Sequence, residues 1–334
     1  MRRVLLTGGS GFIGTHVLDW ILSETEAHIV CVLRPGPAPV RWRHILHRHD
    51  ASRVSVVVHD LGYPIGDDTD GQIGDVDTVI SLASSTDIAG SIRDPRSVFL
   101  PNVQLVANLV EWARHRKLDA FVHVSSEEVY GPAPHHPHAE WDPIRPSTHY
   151  SASKAAQEAY LIASWRAHGL PLIILNAMNQ LGPMQDPSKL VPAIIRKTLA
   201  GESVPLMVDF YESQSGNGQE SLRQYMHPRV LASAILAVLS DPDRSFTPRV
   251  GFPPRYNVAG TQIGVVGLAQ MVADAMGFPL KWTPVDADYA RPGHERVFAL
   301  DDSKLHSLGW EPPTTLEQDV ADTVAWTLEH QEWL

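Results

Sequence analysis

The sequence predicts an α/β fold in which a doubly wound parallel sheet is joined to a smaller mixed α/β domain. Up to residue 175, short apolar segments alternate with amphipathic helical patterns. The apolar segments are rich in Val, Ile and Leu without polar alternation, as in strands that are buried on both faces. Alternation of strands and helices is typical of a parallel sheet with right-handed crossovers and helices on both faces. After residue 176 the pattern changes to loops rich in Pro, Gly and Ser with isolated helices between them.

The individual elements follow from these segments. The predicted strands cover residues 4–6, 29–33, 54–58, 78–81, 121–125 and 172–175. The predicted helices cover residues 13–22, 98–114, 152–167, 190–200 and 230–239. We therefore assign residues 1–176, with about 222–258, to the sheet domain, and about 177–221 with 259–334 to the smaller domain.

The composition excludes several classes of protein. Of 334 residues 43% are hydrophobic, which is enough to form a large core and excludes a disordered chain. A formal net charge of −11 argues against non-specific binding to nucleic acid. The 17 histidines have no carboxylate or thiol at ligand spacing beside them, so we expect no metal site.

The cysteine content and the length of the apolar segments bear on the cellular compartment. The single cysteine, Cys31, excludes an internal disulfide and fits a reducing compartment. The longest apolar run, residues 234–239, is far shorter than the roughly 20 residues of a membrane helix. We expect a cytoplasmic protein that does not contact a membrane.

A glycine-rich turn follows the first strand. Gly8, Gly11 and Gly14 lie between that strand and the first predicted helix. Glycines at this spacing allow a tight turn and a close approach of the backbone to a pyrophosphate, which the helix N-terminus then stabilises. This context predicts a dinucleotide-binding Rossmann domain. We expect the dinucleotide to contact Gly8, Gly11, Phe12, Ile13, Gly14, Arg34, Asp60, Leu61, Ala83, Tyr150 and Lys154.

The end of the second strand bears on the choice between NAD and NADP. An acidic residue there would bind the ribose hydroxyls of NAD, whereas an arginine can bind the 2′-phosphate of NADP. The chain has Arg34 at this place, and Arg41 and Arg43 follow without an acid. The cofactor is therefore NAD or NADP, and Arg34 favours NADP unless it is an ordinary solvated loop charge.

A Tyr-x-x-x-Lys pair begins the helix after the fifth strand. Tyr150 and Lys154 lie four residues apart, so they share one face of that helix. A nearby ammonium favours the phenolate, which predicts that Tyr150 is a base near neutral pH. The hydroxyl of Ser126, at the end of the fifth strand, could share the proton of a reacting alcohol. Together with the glycine turn, this set predicts hydride transfer to or from a nicotinamide.

These motifs resemble those of the extended short-chain dehydrogenases/reductases, and within them the chain is most similar to the dTDP-glucose 4,6-dehydratases. The resemblance spans nearly the whole chain. Its matching blocks are residues 7–14, 123–131, 150–154, 179–183, 189–192, 291–296 and 308–326.

The resemblance implies a closed redox cycle on a nucleotide-diphosphate sugar. Tyr150 removes the proton of the sugar O4, Glu128 removes the C5 proton, and Glu127 protonates the departing C6 hydroxyl. The catalytic set is then Ser126, Glu127, Glu128, Tyr150 and Lys154. The family positions near the substrate are Asn179, Lys189, Leu190, Arg223, Arg291 and His294. Family members also pair as homodimers through the helices predicted at residues 98–114 and 152–167.

One departure from the family pattern leaves other reactions open. Glu127 stands where the dTDP-glucose enzymes have Asp, and one extra methylene displaces the acid by about 1 Å or more. The alternatives are a 4-epimerase, a uronate decarboxylase or a 5,6-dehydratase with the same NAD(P) cycle. A non-catalytic dinucleotide sensor is a further alternative, although it would not need Ser126, Tyr150 and Lys154 together. If Glu127 and Glu128 were merely two exposed loop acids, dehydration would lose its main support.

Overall fold

The computed structural model describes residues 1–209, 219–240, 251–286 and 296–334. Its strands are β1 (Arg3–Thr7), β2 (His28–Leu33), β3 (Val54–Val58), β4 (Thr78–Ser81), β5 (Ala120–Ser126), β6 (Leu172–Ala177), β7 (Asn179–Gln180), β8 (Val204–Asp209), β9 (Gln219–Glu220), β10 (Leu222–Met226), β11 (Arg255–Val258), β12 (Thr261–Gly264) and β13 (Trp282–Asp286). Its α-helices are α1 (Phe12–Glu24), α2 (Asp67–Ile73), α3 (Ile88–Arg93), α4 (Pro95–Ala113), α5 (His149–His168), α6 (Leu190–Leu199), α7 (Pro228–Ser240), α8 (Val265–Met276), α9 (Ser303–His306) and α10 (Leu316–Glu329).

Seven of these strands form one sheet in the order β11-β6-β5-β4-β1-β2-β3. Every pair of neighbours in it is parallel. The six strands predicted from the sequence are confirmed. The short strand β11 was not predicted as a strand, because its four residues, Arg-Tyr-Asn-Val, lack a continuous apolar run. The strand order reverses between β1 and β4, which in open α/β sheets places a ligand crevice at their carboxyl ends.

Helices cover both faces of this sheet, which confirms the doubly wound arrangement. Alternate residues of a strand point to opposite faces, so Leu6 packs on one side and Leu5 on the other. On the first side, Leu18 of α1 and Leu231 of α7 belong to the same buried cluster as Leu6. On the second side, α4 and α5 pack against each other above Leu5. The sheet is buried on both faces, as its uninterrupted apolar strands require.

The rest of the chain forms two three-stranded sheets and a third apolar core. One sheet has the order β12-β10-β7 and the other β13-β8-β9, and both mix parallel and antiparallel pairs. Apolar residues of α6, α8 and α10 pack together beside them, among them Ile194, Leu268 and Val320. The segment after β10 returns to the large sheet through α7 and β11. Within the described ranges, no helix combines the length and apolar character needed to cross a bilayer.

Helix α5 begins at a capping box. The side chain of Thr148 accepts a hydrogen bond from the backbone N–H of Ser151, and the Ser151 hydroxyl accepts one from the backbone of Thr148. The helix ends at Gly169, whose φ of 66° is the left-handed conformation that glycine adopts without strain. The cap defines where the helix starts after β5, and so places the first turn, with Tyr150, beside the end of that strand.

Candidate active site

The turn between β1 and α1 is shaped for a close backbone approach. Gly8 has a φ of 73°, and a Cβ built on it would lie 2.8 Å from the backbone nitrogen of Ala83. A Cβ on Gly14 would overlap the carbonyl oxygen of Gly8, while the Gly11 N–H donates to that same oxygen at 3.0 Å. A side chain at Gly8 or Gly14 is therefore excluded, and the N–H groups of the first turn of α1 lie beside the glycine turn. This cradle fits the pyrophosphate of a dinucleotide.

Contacts from two other segments hold the cradle in place. The Thr7 hydroxyl oxygen accepts hydrogen bonds from the backbone N–H groups of Leu82 and Ala83, each at 3.2 Å, and so joins the ends of β1 and β4. The Trp42 indole N–H donates to the carbonyl of Gly9 at 2.9 Å. Trp42 was not identified from the sequence, because an indole 33 positions away shows no pattern that relates it to the turn.

The other residues predicted to contact the dinucleotide surround this crevice. Phe12 and Ile13 form the first turn of α1, and Arg34, which is exposed, directly follows β2. Asp60 lies just after β3 and accepts a hydrogen bond from the Gly62 N–H at 2.8 Å. Leu61 and Ala83 also follow strand ends. All of them lie at the carboxyl edge of the sheet, although contact with a cofactor stays a prediction for each.

Three predicted catalytic residues stand together where β5 ends. Ser126, Glu127 and Glu128 are all buried, although two are acids. The Ser126 hydroxyl donates to the Glu127 carboxylate at 2.6 Å, and the Thr148 hydroxyl donates to the Glu128 carboxylate at 3.3 Å. The alternative that these are two exposed loop acids is wrong. Glu127 is one methylene longer than the Asp of the dTDP-glucose enzymes, and its carboxylate accepts the hydrogen bond of the neighbouring Ser126 hydroxyl.

The protonation of the two acids is affected by their burial and by each other. Burial raises the pKa of Glu127 to about 7, with a further contribution from the charge of Glu128. The hydrogen bond from Ser126 and the charge of Arg223 oppose that rise. Near neutral pH the Glu127 carboxyl is therefore partly protonated, which is the state that a general acid requires.

Tyr150 is buried beside the same acids, and its pKa differs from the sequence prediction. The prediction was that Lys154 favours the phenolate. In the structure, burial raises the pKa of the Tyr150 phenol above its usual range, and the charges of Glu128 and Glu127 raise it further. A hydrogen bond with Ser126 acts in the opposite direction. The prediction of a lowered pKa is wrong for the protein alone, because Tyr150 is buried and two acids lie beside it.

Lys154 is one turn further along α5 and is also buried. Its ammonium donates to the carbonyl oxygen of Val124 on β5 at 2.8 Å. Burial lowers the pKa of Lys154 to about 8, and the charge of Glu158 opposes that change. The ammonium is thus held against the strand that ends in Ser126.

A buried amide that the sequence did not indicate connects the surrounding segments. The Asn102 side chain on α4 accepts from the Ser85 N–H at 2.7 Å and donates to the Ser153 hydroxyl at 2.9 Å. It therefore joins the loop after β4 to helix α5 between Tyr150 and Lys154. A single Asn within an amphipathic helix is not by itself a recognisable signal.

A cleft of about 170 Å³, partly open to solvent, lies beside the paired acids. Among its walls are four predicted site residues, Glu128, Asn179, Leu190 and Arg223. Lys189 is exposed at the start of α6 and is not part of the lining. Arg291 and His294 lie outside the described residues. The lining also includes side chains not identified from the sequence, namely Ile88, Thr148, Met207, Tyr225 and Phe298.

The glycine cradle and the Ser–Tyr–Lys set, both at the carboxyl edge of a Rossmann sheet, define an extended short-chain dehydrogenase/reductase. The sequence pattern of the NAD dependent epimerase/dehydratase family matches residues 4–259. The chain belongs to this family, and it is an enzyme.

Individual relatives agree with this assignment. A dTDP-glucose 4,6-dehydratase of Escherichia coli is 30% identical, over 99% of this chain and 94% of its own length. A solved dTDP-glucose 4,6-dehydratase from Streptomyces venezuelae, with NAD bound, has a TM-score of 0.82 at 26% identity and covers 99% of this chain and 98% of its own. A Thermus thermophilus UDP-glucose 4-epimerase, also solved with NAD, has a TM-score of 0.78 at 25% identity, over 97% of this chain and 98% of its own.

Proposed function

We propose that this enzyme is a nucleotide-sugar 4,6-dehydratase that acts on a nucleoside-diphosphate hexose. The observation that supports dehydration over the alternatives is the pair of buried acids, Glu127 and Glu128, beside the Ser126 and Tyr150 hydroxyls. A 4-epimerase needs no acid and base at C5 and C6, so it gives no reason to bury two carboxyls here. The similarity to the dehydratase relatives supports the same choice.

The residues of the cradle would hold the dinucleotide. Its pyrophosphate fits the turn of Gly8, Gly11 and Gly14, with Asp60 and Arg34 at the ribose and adenine end. When bound, the nicotinamide supplies a hydride acceptor for C4 and, later, a hydride donor for C6. The relatives solved with NAD favour NAD, whereas the exposed Arg34 favours NADP. Denaturing the purified protein and identifying the released dinucleotide distinguishes the two.

Tyr150 would take the proton of the sugar O4 hydroxyl as C4 is oxidised. The Ser126 hydroxyl lies between Tyr150 and Glu127 in a chain of hydrogen bonds, so it can hold the O4 proton in line. The ammonium of Lys154 stays on β5 and stabilises negative charge that develops on the phenol oxygen. Burial and two acids raise the pKa of Tyr150 in the protein alone, so the phenol needs stabilisation of this kind to lose its proton near neutral pH.

The two acids would then divide the elimination between them. Oxidation at C4 acidifies the C5 proton, which Glu128 removes from its place in the cleft wall. The C6 hydroxyl leaves as water with a proton from Glu127, whose pKa of about 7 keeps part of it protonated. Afterwards C6 accepts the hydride and C5 a proton, so the sequence is redox-neutral and loses one water.

The substrate would lie in the cleft. Asn179, Leu190 and Arg223 line it, and Arg223 is oriented by its place over the Phe298 ring, 4.5 Å from the centroid. A guanidinium there suits a diphosphate, which it can bind with two parallel hydrogen bonds. Lys189, Arg291 and His294 complete the proposed set by resemblance. The division into a dinucleotide-binding domain and a sugar-nucleotide domain belongs to the same proposal.

We also propose that the protein is a homodimer formed through α4 and α5. These helices pack against each other, and each has a large exposed apolar side chain, Leu100 on α4 and Tyr160 on α5. Sedimentation equilibrium of the purified protein would show twice the chain mass, and a monomer at all concentrations would contradict the proposal.

Product masses test the proposed reaction directly. The protein is incubated with dTDP-, UDP-, GDP- and CDP-glucose and with the corresponding uronates. Loss of one water from any hexose supports a dehydratase, and a C6 methyl signal in the product distinguishes the 4,6-dehydratase from a 5,6-dehydratase, whose product has the same mass. Loss of carbon dioxide indicates a uronate decarboxylase instead, and unchanged mass with altered retention indicates a 4-epimerase. A dinucleotide-bound protein that changes none of these substrates favours the sensor.

A further inference from the structure

Behind the proposed catalytic residues lies a second buried charged cluster, made of Glu158, Arg255, Asn176 and Glu140. Glu158 of α5 and Arg255 of β11 are both fully buried and form an ion pair. A buried ion pair loses the hydration of both charges and is retained only where its geometry is well satisfied.

Glu158 is held from two sides. One carboxylate oxygen accepts from the Arg255 guanidinium and the other from the Asn176 amide at 2.8 Å. The same amide nitrogen donates to the backbone carbonyl of Ser126 at 3.1 Å. The carboxylate of Glu158 is therefore tied to the strand end that bears Ser126.

Arg255 is itself fixed by the loop between β5 and α5. Its guanidinium donates to the Glu140 carbonyl at 3.1 Å and lies over the Trp141 ring, 4.2 Å from the centroid. The Tyr130 hydroxyl donates to the same carbonyl at 2.9 Å. This loop is rich in Pro and His, and the proposed mechanism gives it no role.

Glu158 lies one helical turn after Lys154, so the two side chains share a face of α5. Several titratable groups surround Lys154. Its own helix contributes Glu158, β5 contributes His123, and Arg255 of β11 pairs with Glu158. Glu158 is the acid whose charge acts on Lys154, whereas Glu127 and Glu128 act on Tyr150, one turn earlier on α5.

We propose that Glu158 is a positioning residue that keeps the Lys154 ammonium charged, and that Arg255 and Asn176 hold Glu158 in place for that purpose. Without the Glu158 charge, nothing would oppose the effect of burial, which lowers the pKa of Lys154 and favours the neutral amine. Burial also lowers the pKa of His123, which leaves that neighbour uncharged and unable to take over. The inference rests on the proposed function only in assuming that the charge of Lys154 serves the reaction.

The charge of Lys154 can be measured without any substrate. The chain has six lysines, so protein labelled with ¹³C at the lysine Cε gives few signals, and Lys154→Met identifies the one of interest. We expect this signal to titrate with a midpoint near pH 8. In Glu158→Gln the midpoint should fall by about one pH unit or more, since an opposite charge at close range shifts a pKa by that order.

Glu140→Gln is the matched control. Glu140 is a buried acid of the same cluster, but its carboxylate accepts from the Asn257 N–H and faces Lys304 instead. The Lys154 midpoint should not move in this variant. If Glu158→Gln does not fold, the double variant Glu158→Gln/Arg255→Met removes both charges of the ion pair and leaves neither of them unpaired. The Lys154 midpoint should fall in it as well, but by less than the fall expected for Glu158→Gln alone. An unchanged midpoint in a folded variant lacking Glu158 overturns the proposal, as does an equal shift in Glu140→Gln.

Turnover then separates this inference from the proposed function. If the protein is a dehydratase, the alkaline limb of its kcat/KM profile should move to lower pH in Glu158→Gln by the same amount as the NMR midpoint. A shifted NMR midpoint in a protein that converts no nucleotide sugar would support the role of Glu158 and contradict the dehydratase. A shifted midpoint with an unmoved kcat/KM profile would show that the Lys154 charge does not serve turnover, and would overturn the inference.

Discussion

The dinucleotide cradle and the sugar cleft are built in different ways, although both lie at the carboxyl edge of the large sheet. The cradle is one continuous segment, residues 7–14, and its shape comes from the backbone and from missing side chains. The cleft is lined by side chains from α3, the loop before α5, β7, α6, β8, β10, α8 and Phe298. The cradle should therefore respond to backbone crowding, whereas the cleft should respond to the charge of individual side chains.

The largest effect should come from a charge in the cleft. Glu128→Gln keeps the shape of the side chain but removes the proposed base at C5, which should slow formation of dehydrated product by about 10²- to 10⁴-fold. Oxidation at C4 does not use Glu128, so the variant should still reduce its cofactor, seen as absorbance at the nicotinamide band. Full dehydratase activity would remove Glu128 from the proposed role.

A change at the acid next to the cleft, Glu127, should alter stability with a definite sign. The folded protein raises the pKa of Glu127 to about 7, above the roughly 4.3 of an unfolded Glu, so wild-type stability falls as pH rises between those values. Glu127→Gln does not have this loss. Between about pH 4 and pH 8 its unfolding free energy should gain up to about 3 kcal/mol relative to wild type.

Urea denaturation at several pH values measures this gain. The exposed Glu332→Gln is the control and should show no comparable gain. If the unfolding free energies of wild type and Glu127→Gln differ by the same amount at every pH, Glu127 ionises like a surface acid. Charge would then not distinguish the surroundings of the cleft from the cradle.

The cradle should respond to a single methyl group. In Gly14→Ala the new Cβ meets the Gly8 carbonyl, so the turn must shift, which costs about 1–3 kcal/mol. Dinucleotide affinity should fall by about 10- to 100-fold, measured by calorimetry. Gly71→Ala in α2 is the matched control, since a Cβ there meets no described atom within 4 Å apart from its chain neighbours and the backbone of its own helix. Unchanged affinity in Gly14→Ala would show that crowding of the backbone does not control this site.

The smallest effect should come from an exposed charge at the rim of the cradle, that of Arg34. Arg34 is exposed, so its interaction with a 2′-phosphate is screened by water and should contribute about 0.2–1 kcal/mol. Arg34→Ala should therefore weaken NADP binding by about 2- to 5-fold and leave NAD binding unchanged. The exposed Arg43→Ala serves as control. Equal losses for both dinucleotides would mean that Arg34 does not read the 2′-phosphate.

The cradle is one continuous segment and the cleft is assembled from many, and this difference explains which features the sequence could predict. The six strands of the large sheet and the glycine turn were found because each is a local pattern with its own periodicity or spacing. Strand β11 was missed because its apolar run is too short, and Trp42 and Asn102 because single residues show no pattern. The cleft lining was recovered only where the resemblance supplied it, as for Asn179 and Arg223. Met207, Tyr225 and Phe298 come from separate segments that only folding brings together.

The sequence by itself determined the fold class, the cradle and the Tyr150–Lys154 pair, because backbone sterics and helix periodicity act between residues that are close along the chain. Only the tertiary structure decided how the charged groups behave. The pKa of Tyr150 is raised rather than lowered, that of Glu127 is raised to about 7, and Glu158 is paired with Arg255 from a strand 97 positions away. Burial and charge separation are properties of the packed chain, and they depend on which distant segments meet.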